Sequence, residues 1–380
     1  MKVSVAVRQK FHGFQLAQEL YDHGCLVKLF TSHYGRFLGK DNSLGYDISR
    51  ENISTNLFNA FQTYGLKDNS FENDDHFGSW VAGKLKDENI VVTWGIQALP
   101  IIKRAKQLGI KVVLERGSSH AVFQRDILLD EYRSMNISTV ELDKSFSPKR
   151  MERELLEYEL ADVVSIPSSF VKRSFLENDF VEKKLFVNAY GTDLLNFTCI
   201  PHPHKPFRFI YSGTLSIRKG IHYLLEAFSN LNLPEAELWL VGKVEEEIKP
   251  CIIKYSAKSI KILKPVPQQQ LVELYNQCDV FVICSIEEGL AMVQTQAMAC
   301  GLPLICTTNT GGDDLIDNGI NGFVVPIRQV KILQEKMEFL YLNRDKCKEM
   351  GKNALKTIQS DFSWKNYGYR SVAFYKQLIS

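Results

Sequence analysis

Short apolar runs rich in β-branched residues alternate along the whole chain with longer stretches in which apolar residues recur at helical spacing. In the first half, the short runs predict strands at residues 3–7, 26–30, 90–93, 112–114, 163–166 and 185–187. Two of the intervening helices are predicted to end at Gly24 and Gly109, because glycine suits the left-handed position after a helix. This alternation predicts βαβ units with parallel sheets.

A proline-rich segment interrupts the alternation. Residues 194–206 contain three prolines within six positions and no periodicity, which predicts a linker. Beyond it, strands are predicted at 209–211, 238–241, 280–284, 304–306 and 323–325, and helices at about 330–342, 345–359 and 365–378. The length of 380 residues is about twice that of a common domain. We therefore predict an α/β protein with two doubly wound, Rossmann-like domains, 1–193 and 207–362, whose cleft binds ligands at the carboxyl ends of the strands.

The composition excludes several classes of protein. Apolar residues make up 45% and charged residues 24%, as in ordinary globular proteins, and the formal net charge of +2 predicts no nucleic-acid partner. The eight cysteines stand singly, without a Cys-x-x-Cys pair, which is typical of a reducing compartment. The charged first strand is unlike a signal peptide, and no apolar run reaches the roughly 20 residues of a membrane helix. We predict a cytoplasmic protein, and contact with the inner face of a membrane stays open as an alternative.

Two familiar nucleotide motifs are incomplete. The first βα turn, at 8–14, has one glycine where a dinucleotide-binding fold needs three. Residues 35–41 resemble a Walker loop but are one residue short, and no Ser or Thr follows Lys40. No Asp-x-Asp sequence occurs, so the simplest way of holding a divalent cation beneath a diphosphate is missing. No metal site is predicted.

The stretch "FRFIYSGTLSIRKGIHYLLEAF", residues 207–228, carries the first candidate chemistry. A strand runs into Gly213 and Thr214, a short loop presents Arg218 and Lys219, and a helix is predicted to begin near Gly220. Loop amides together with two cations can hold a diphosphate without metal. The alternative is that both cations are solvated loop residues.

The stretch "EEGLAMVQTQAMACGLP", residues 287–303, carries the second. It follows a predicted strand; Gly289 is predicted to permit a tight turn, and a helix is predicted over 290–300. The amides of Gly289, Leu290 and Ala291 would then present the positive end of the helix dipole to the cleft. Glu288 can accept hydrogen bonds from sugar hydroxyls, and Gln296 can reach a ribose from the same side. The alternative makes Glu288 a helix-terminal charge and Gln296 a surface residue.

With these segments and "TGGDDLIDNGINGFVVP" at 310–326, the chain resembles the group 1 (family four) retaining glycosyltransferases, which have the GT-B fold of two Rossmann-like domains. The resemblance implies metal-independent transfer of a hexose from a nucleotide diphosphate sugar to a hydroxyl of a glycan or lipid-linked acceptor. It implies no cofactor, and it implies that the final helix, 363–380, returns to the first domain. No oligomeric state follows from it.

The resemblance also assigns individual residues. Glu288 matches the acid beside the donor sugar, and Gln296 replaces the acid beside the ribose. Lys219 matches the lysine of the diphosphate loop, whereas Thr214 replaces its arginine, so that Arg218 is expected to supply the missing charge. A phosphorylase, a sugar-nucleotide epimerase and a non-catalytic scaffold stay open as alternatives.

On the acceptor side, the family often places a histidine beside the anomeric carbon, after the fourth or fifth strand. The comparable stretch here is 112–124, where Arg116 lies at or near that position and His120 is the alternative. His12 and Gly13, in the first βα loop, resemble the loop that borders the donor phosphate and the acceptor.

Overall fold

The computed structural model describes residues 1–9, 12–32, 48–56, 70–200 and 206–380. The Walker-like stretch at 35–41 and residues 201–205 of the predicted linker lie outside these ranges. Within them the chain forms two parallel sheets, one of seven strands and one of six.

The first sheet has the strand order β3-β2-β1-β4-β5-β6-β7. Its strands are β1 (Val3–Ala6), β2 (Leu26–Thr31), β3 (Ile53–Thr55), β4 (Ile90–Trp94), β5 (Lys111–Glu115), β6 (Val163–Ile166) and β7 (Leu185–Val187). The helices among them are α1 (Gly13–Asp22), α2 (Ser70–Ala82), α3 (Ala98–Leu108), α4 (Ala121–Ser134), α5 (Val140–Ser145), α6 (Pro148–Leu160) and α7 (Ser169–Leu176). The central strands are buried on both faces, which is why they read as nearly continuous apolar runs.

The second sheet has the order β10-β9-β8-β11-β12-β13. Its strands are β8 (Phe207–Ser212), β9 (Ala236–Val241), β10 (Ile260–Leu263), β11 (Val280–Ile283), β12 (Leu304–Thr307) and β13 (Gly322–Val325). Its helices are α8 (Ile221–Asn230), α9 (Lys249–Lys254), α10 (Gln268–Tyr275), α11 (Met292–Ala299), α12 (Val330–Leu342) and α13 (Arg344–Asp361). In both sheets the winding reverses after the third strand, so that β1 lies beside β4 and β8 beside β11. Such a switch point opens a crevice at the carboxyl ends of the two strands.

The predicted fold class, two doubly wound Rossmann-like domains, is confirmed. The predicted helix ends at Gly24 and Gly109 are also confirmed, since both glycines have positive φ, +64° and +72°. Two strands were not predicted, β3 and β10. Both are edge strands, which pair with a neighbour on one side only, and β3 has only three residues. A short edge strand has little apolar surface to bury, so its sequence carries a weak signal.

The last helix, α14 (Trp364–Ile379), packs against α1 of the first domain. Just before it, Ser363 pairs with Thr192, so the two places where the chain passes between the sheets lie side by side. Gly191 allows this approach, because a Cβ there would lie 2.3 Å from the backbone nitrogen of Trp364. Of the helices within the described ranges, none combines the length and the apolar character needed to cross a membrane.

Candidate functional site

Two loops meet at the switch point of the second sheet. The loop after β8 carries Lys219, and the loop after β11 carries Glu288. The amide of Ile286 donates to the carbonyl of Arg218 at 2.9 Å, which joins the loops. Gly220, with φ +63°, permits this contact, because a Cβ there would lie 1.9 Å from the carbonyl oxygen of Cys284. The structure thus brings together the two stretches that the sequence singled out.

Lys219 and Glu288 form an ion pair at this junction. The Lys219 Nζ contacts Glu288 Oε1, and the two side chains are only 20% and 13% exposed. Burial, followed by the charge of Arg218, lowers the pKa of Lys219 to about 7. An anionic ligand at this position would compete with Glu288 for the ammonium group and would favour its charged form.

The loop that carries Glu288 is held by hydrogen bonds to Thr307 and Asn309, at and just after the end of β12. The amide of Glu288 donates to the Asn309 carbonyl at 2.9 Å, and Asn309 Nδ2 returns a bond to the Ile286 carbonyl at 3.0 Å. Thr307 Oγ1 donates to the Ser285 carbonyl at 2.7 Å. These bonds hold the backbone of the loop from Ser285 to Glu288, so Glu288 has a defined position before any ligand binds.

Helix α11 begins at Met292, two residues later than predicted. Ala291 is its N-cap, with an extended ψ of 109°, so Gly289 and Leu290 belong to the preceding loop. The prediction that the helix begins at residue 290 is wrong for this reason. The amides of the first turn have no partner within a helix, and those of α11 therefore provide the positive dipole end from Met292 onward.

Gly289 has a different role from the predicted one. Its φ is not positive, so a tight turn does not require it. A Cβ at this position would instead lie 1.9 Å from the Gly117 carbonyl oxygen and 3.1 Å from Pro167 Cγ, both in the first domain. The carbonyl of Gly289 also accepts a bond from Ser168 Oγ at 2.7 Å. Glycine is needed here because the two domains touch backbone to backbone.

The remaining predicted nucleotide-side residues lie near the same strand ends. Gln296 is on the second turn of α11 and only 7% exposed, so the alternative of a surface residue is wrong. Thr214 is half-buried, and its carbonyl accepts a bond from Tyr211 Oη at 3.1 Å. Gly213 follows β8 with φ +141°, and a Cβ on Gly242 would lie 1.8 Å from its carbonyl oxygen.

Arg218 is bound to a carboxylate. Its Nη2 and Nε lie 2.8 Å and 3.0 Å from Glu287 Oε2, and Nη2 reaches Ser118 Oγ of the first domain at 3.5 Å. The sequence predicted a cation directed at a diphosphate, with a solvated loop residue as the alternative. The guanidinium is held by Glu287 at the contact between the domains with 33% of the side chain exposed, and its contact with a diphosphate stays a prediction.

Glu287 was not among the predicted site residues. Its carboxylate is fully buried, and besides Arg218 it accepts bonds from Ser119 N at 2.9 Å, Ser119 Oγ at 2.7 Å and Gln124 Nε2 at 2.8 Å. Burial opposes its ionisation, but Arg218 and the Ser119 and Gln124 bonds hold the pKa of Glu287 below its ordinary value. The signal in the sequence was the pair of adjacent acids before Gly289, of which we used only the second.

The structure places Arg116 and His120 inside the first domain. Arg116 forms an ion pair with Glu154 and donates from Nη2 to Gln124 Oε1 at 2.9 Å. The His120 ring is buried against Tyr158 and Phe175, at centroid distances of 5.3 and 4.9 Å. Burial, followed by Arg116, lowers the pKa of His120 to about 4. The imidazole is therefore neutral and packed, a position that does not support the predicted contact with the substrate.

His12 and Gly13 are also buried. His12 Nε2 lies 3.3 Å from Glu115 Oε2, and its ring packs against Tyr190 and Trp94 at 4.3 and 5.2 Å. A Cβ on Gly13 would lie 2.6 Å from Trp94 Cη2. These contacts place both residues within the first domain's packing, so they do not form an exposed acceptor surface.

No part of the chain that the structure describes groups three or more His, Cys, Asp or Glu side chains in a way that could hold a metal ion. The charged groups on the two loops that meet at the switch point are Arg218 and Lys219 on the first and Glu287 and Glu288 on the second. Such a site is suited to bind an anion by a lysine and backbone amides.

Comparisons with known proteins agree with this geometry. The family described as glycosyl transferases group 1 matches residues 197–357. The capsular polysaccharide biosynthesis glycosyltransferase CapM of Staphylococcus aureus is 26% identical over 261 residues, which are 64% of this chain and 68% of that protein. Matches to several further curated relatives span about half of their length.

Solved structures share the fold over nearly the whole chain. Sucrose-phosphate synthase from Thermosynechococcus elongatus aligns with a TM-score of 0.76 and 17% identity, covering 99% of this chain and 98% of that one. HepE of Anabaena, solved in complex with UDP, aligns with a TM-score of 0.72 and 14% identity, covering 99% of this chain and all of that one. At such identities the likeness establishes the two-domain GT-B architecture.

Proposed function

We propose that the chain, which has the GT-B fold and matches the glycosyl transferases group 1 over residues 197–357, belongs to that group and transfers a hexose from a nucleotide diphosphate sugar to a hydroxyl of a glycan or lipid-linked acceptor. The observation that carries the proposal is the Lys219–Glu288 pair at the switch point, beside the first turn of α11. A donor diphosphate would take the place of Glu288 at the Lys219 ammonium and accept bonds from the amides that begin at Met292. Glu288, once released, would accept from hydroxyls of the donor sugar.

The other nucleotide-side residues have supporting roles in this proposal. Gln296, on the same helix, would bond a ribose hydroxyl, since a carboxamide can both donate and accept. Gly213 and Thr214 would border the diphosphate from the end of β8. Thr214 carries no charge, so Lys219 and the helix dipole would have to balance most of the negative charge themselves.

The proposed reaction retains the anomeric configuration and needs no metal. The bond between the anomeric carbon and the diphosphate oxygen breaks, and a bond to the acceptor oxygen forms on the same face of the sugar. The acceptor hydroxyl gives its proton to the departing diphosphate oxygen. The difficult part is the charge that develops on the leaving group, and a preorganised cation in a buried site stabilises such charge strongly.

The acceptor is proposed from the relatives. CapM is named for capsular polysaccharide biosynthesis, and HepE was solved with UDP and with UDP-glucose. We propose a growing surface polysaccharide or a glycolipid as acceptor, and a UDP-sugar as the first donor to test.

The proposal is tested by screening UDP-, GDP- and dTDP-sugars for thermal stabilisation, because a ligand that binds the folded state raises its melting temperature. The donor found is then incubated with and without candidate acceptors. We expect nucleoside diphosphate to be released only when an acceptor is present, with or without EDTA, and NMR of the product to show the anomeric configuration of the donor. Release that requires inorganic phosphate would indicate a phosphorylase, and conversion of the donor alone an epimerase. A donor that binds without any turnover would indicate a scaffold.

Donor affinity is expected to fall as the pH rises above about 7. The ammonium of Lys219, whose pKa is lowered to about 7, is charged below that pH and loses its proton above it. Bound diphosphate favours the charged form, so binding at higher pH takes up a proton, and Kd should rise by up to about tenfold per pH unit. Isothermal titration with the nucleoside diphosphate between pH 6 and 9 measures this slope. The Lys219→Arg variant keeps its charge and should flatten it; a flat profile in the wild type would contradict the assignment.

A further inference from the structure

We propose that Glu287 is a positioning residue that couples closure of the two domains to the donor site. This inference rests on the proposed function and adds to it the residue that aligns the site. Two consecutive pairs of residues lie side by side across the two loops: Arg218 with Glu287, and Lys219 with Glu288. The second pair forms the proposed donor site, and the first pair lies at the contact with the first domain, where Glu287 is fully buried and Arg218 is partly exposed.

Each carboxylate oxygen of Glu287 accepts two hydrogen bonds, and the donors come from both domains. Oε1 accepts from the amide and the hydroxyl of Ser119, at 2.9 and 2.7 Å. Oε2 accepts from Gln124 Nε2 at 2.8 Å and pairs with Arg218 at 2.8 Å. Three of the four donor groups therefore belong to the first domain, while Glu287 and Arg218 belong to the second.

These bonds exist only when the domains are in contact. Keeping the carboxylate buried without the Ser119 and Gln124 donors would cost much free energy, because no hydrogen bonds would replace its hydration. Opening of the domains must therefore expose Glu287 to water. Closing again desolvates it and fixes it at the Ser119 amide. Because Glu287 and Glu288 are adjacent in one loop, the bonds that Glu287 accepts from the first domain add to those that Thr307 and Asn309 make to this loop, and closure completes the alignment of Glu288.

The first domain presents its donors in a prearranged form. Arg116 donates to Gln124 Oε1, which leaves Nε2 of the same carboxamide directed at Glu287. Arg116 is itself held by Glu154. The result is a row of alternating charges, Arg218, Glu287, Arg116 and Glu154, with Gln124 bridging its middle. Arg116, predicted as an acceptor-side residue, thus acts here as an anchor for the carboxamide.

A second contact between the domains is independent of Glu287. The buried carboxylate of Glu131 on α4 accepts from His222 Nε2 at 2.9 Å and from Arg328 Nε at 2.6 Å. A variant of Glu287 therefore keeps part of the contact between the domains and is expected to fold.

The test is Glu287→Gln, which keeps the shape of the side chain but removes its charge and turns an NH₂ group toward donors. We expect kcat to fall by about 30- to 100-fold, whereas the Kd of the nucleoside diphosphate found in the screen changes less than about threefold, because the lost contacts lie outside the nucleotide site. Hydrogen exchange at residues 117–124 should rise, since the Ser119 amide is bonded to Glu287. Glu237→Gln is the matched control: Glu237 pairs with Arg208 and Lys261 inside the second domain and should change none of these quantities beyond thermal stability.

Gln124→Leu tests the same coupling from the first domain and should reproduce the fall in kcat with unchanged nucleotide binding. The proposal is overturned if both variants keep wild-type kcat, or if Glu287→Gln weakens nucleotide binding as much as it slows turnover. If the wild type transfers no sugar from any donor, the proposed function fails. Exchange at 117–124 then decides by itself whether Glu287 holds the domains together.

Discussion

Replacing Lys219 by alanine is expected to lower kcat by about 10²- to 10³-fold with donor and acceptor both saturating. The ammonium lies at the proposed position of the leaving diphosphate and is only 20% exposed. Removal of one preorganised charged or polar group from such a site commonly costs about 3–4 kcal/mol of transition-state stabilisation. The variant also leaves Glu288 without its partner, and the unpaired carboxylate would repel the incoming diphosphate. Steady-state rates over a range of both substrate concentrations measure the effect.

The effect of Lys219→Ala is to be compared with that of Gln296→Ala, which removes a proposed ribose contact. A ribose contact is made equally in the ground state and in the transition state, so its loss should mainly raise the donor KM and leave kcat nearly unchanged. Lys243→Ala is the surface control, because the side chain of Lys243 is exposed after β9 and pairs with Glu245. Small and equal effects of Lys219→Ala and Gln296→Ala would show that the site has been misplaced.

The sequence predicted the strands that are buried on both faces of a sheet. The strands β4, β6 and β11 are covered on both faces, and each appears in the sequence as a mostly apolar run, interrupted only by Thr93 in β4 and Ser165 in β6. The edge strand β10 is half-exposed, and Lys261 lies within it and pairs with Glu237. Its pattern therefore resembles that of a loop. The edge strands β7 and β13 were predicted because their sequences, LFV and GFVV, keep an apolar run, whereas polar residues interrupt the missed strands β3 (IST) and β10 (IKIL).

The site was predictable where its chemistry is local to a strand end. Lys219 and Glu288 each follow a predicted strand by a few residues, and parallel strands bring such positions together at one edge. Arg218 lies next to Lys219 in sequence, yet its partners Glu287 and Ser118 are 69 and 100 residues away. Spacing gives no information on which of two adjacent cations faces the ligand and which faces the other domain.

The burial of the two histidines was likewise not predictable from their positions in the sequence. His12 and His120 both follow strands, as catalytic histidines do, and their position in the chain suggested a cleft. Their burial is decided by aromatic rings that come much later in the chain, Tyr190 for His12 and Tyr158 and Phe175 for His120. A residue type and a loop position therefore predict proximity to the cleft, whereas exposure to it depends on distant side chains.

Gly289→Ala is expected to lower kcat by about 10²-fold while nucleotide binding changes less than about threefold. The new Cβ would lie 1.9 Å from the Gly117 carbonyl oxygen and 2.6 Å from its carbon, and backbone atoms cannot move aside as a flexible side chain can. The domains must then stand apart by more than 1 Å at the point where Glu287 and Glu288 are positioned, and a displacement of that size can cost about 10²-fold in rate. The lysine and the first turn of α11 remain in the second domain, so the nucleotide retains its contacts.

Gly83→Ala is the matched control for this variant. Gly83 is exposed after α2, and the nearest atom to a Cβ there would be the Trp80 carbonyl oxygen at 3.7 Å, an ordinary contact distance. It should leave kcat and Kd unchanged. Thermal melting and titration with the nucleoside diphosphate separate a closure defect from misfolding, because a misfolded protein would lose nucleotide binding as well. Wild-type kcat in Gly289→Ala would mean that the backbone contact between Gly289 and Gly117 is absent when the sugar is transferred, and that transfer takes place with the two domains farther apart than in this structure.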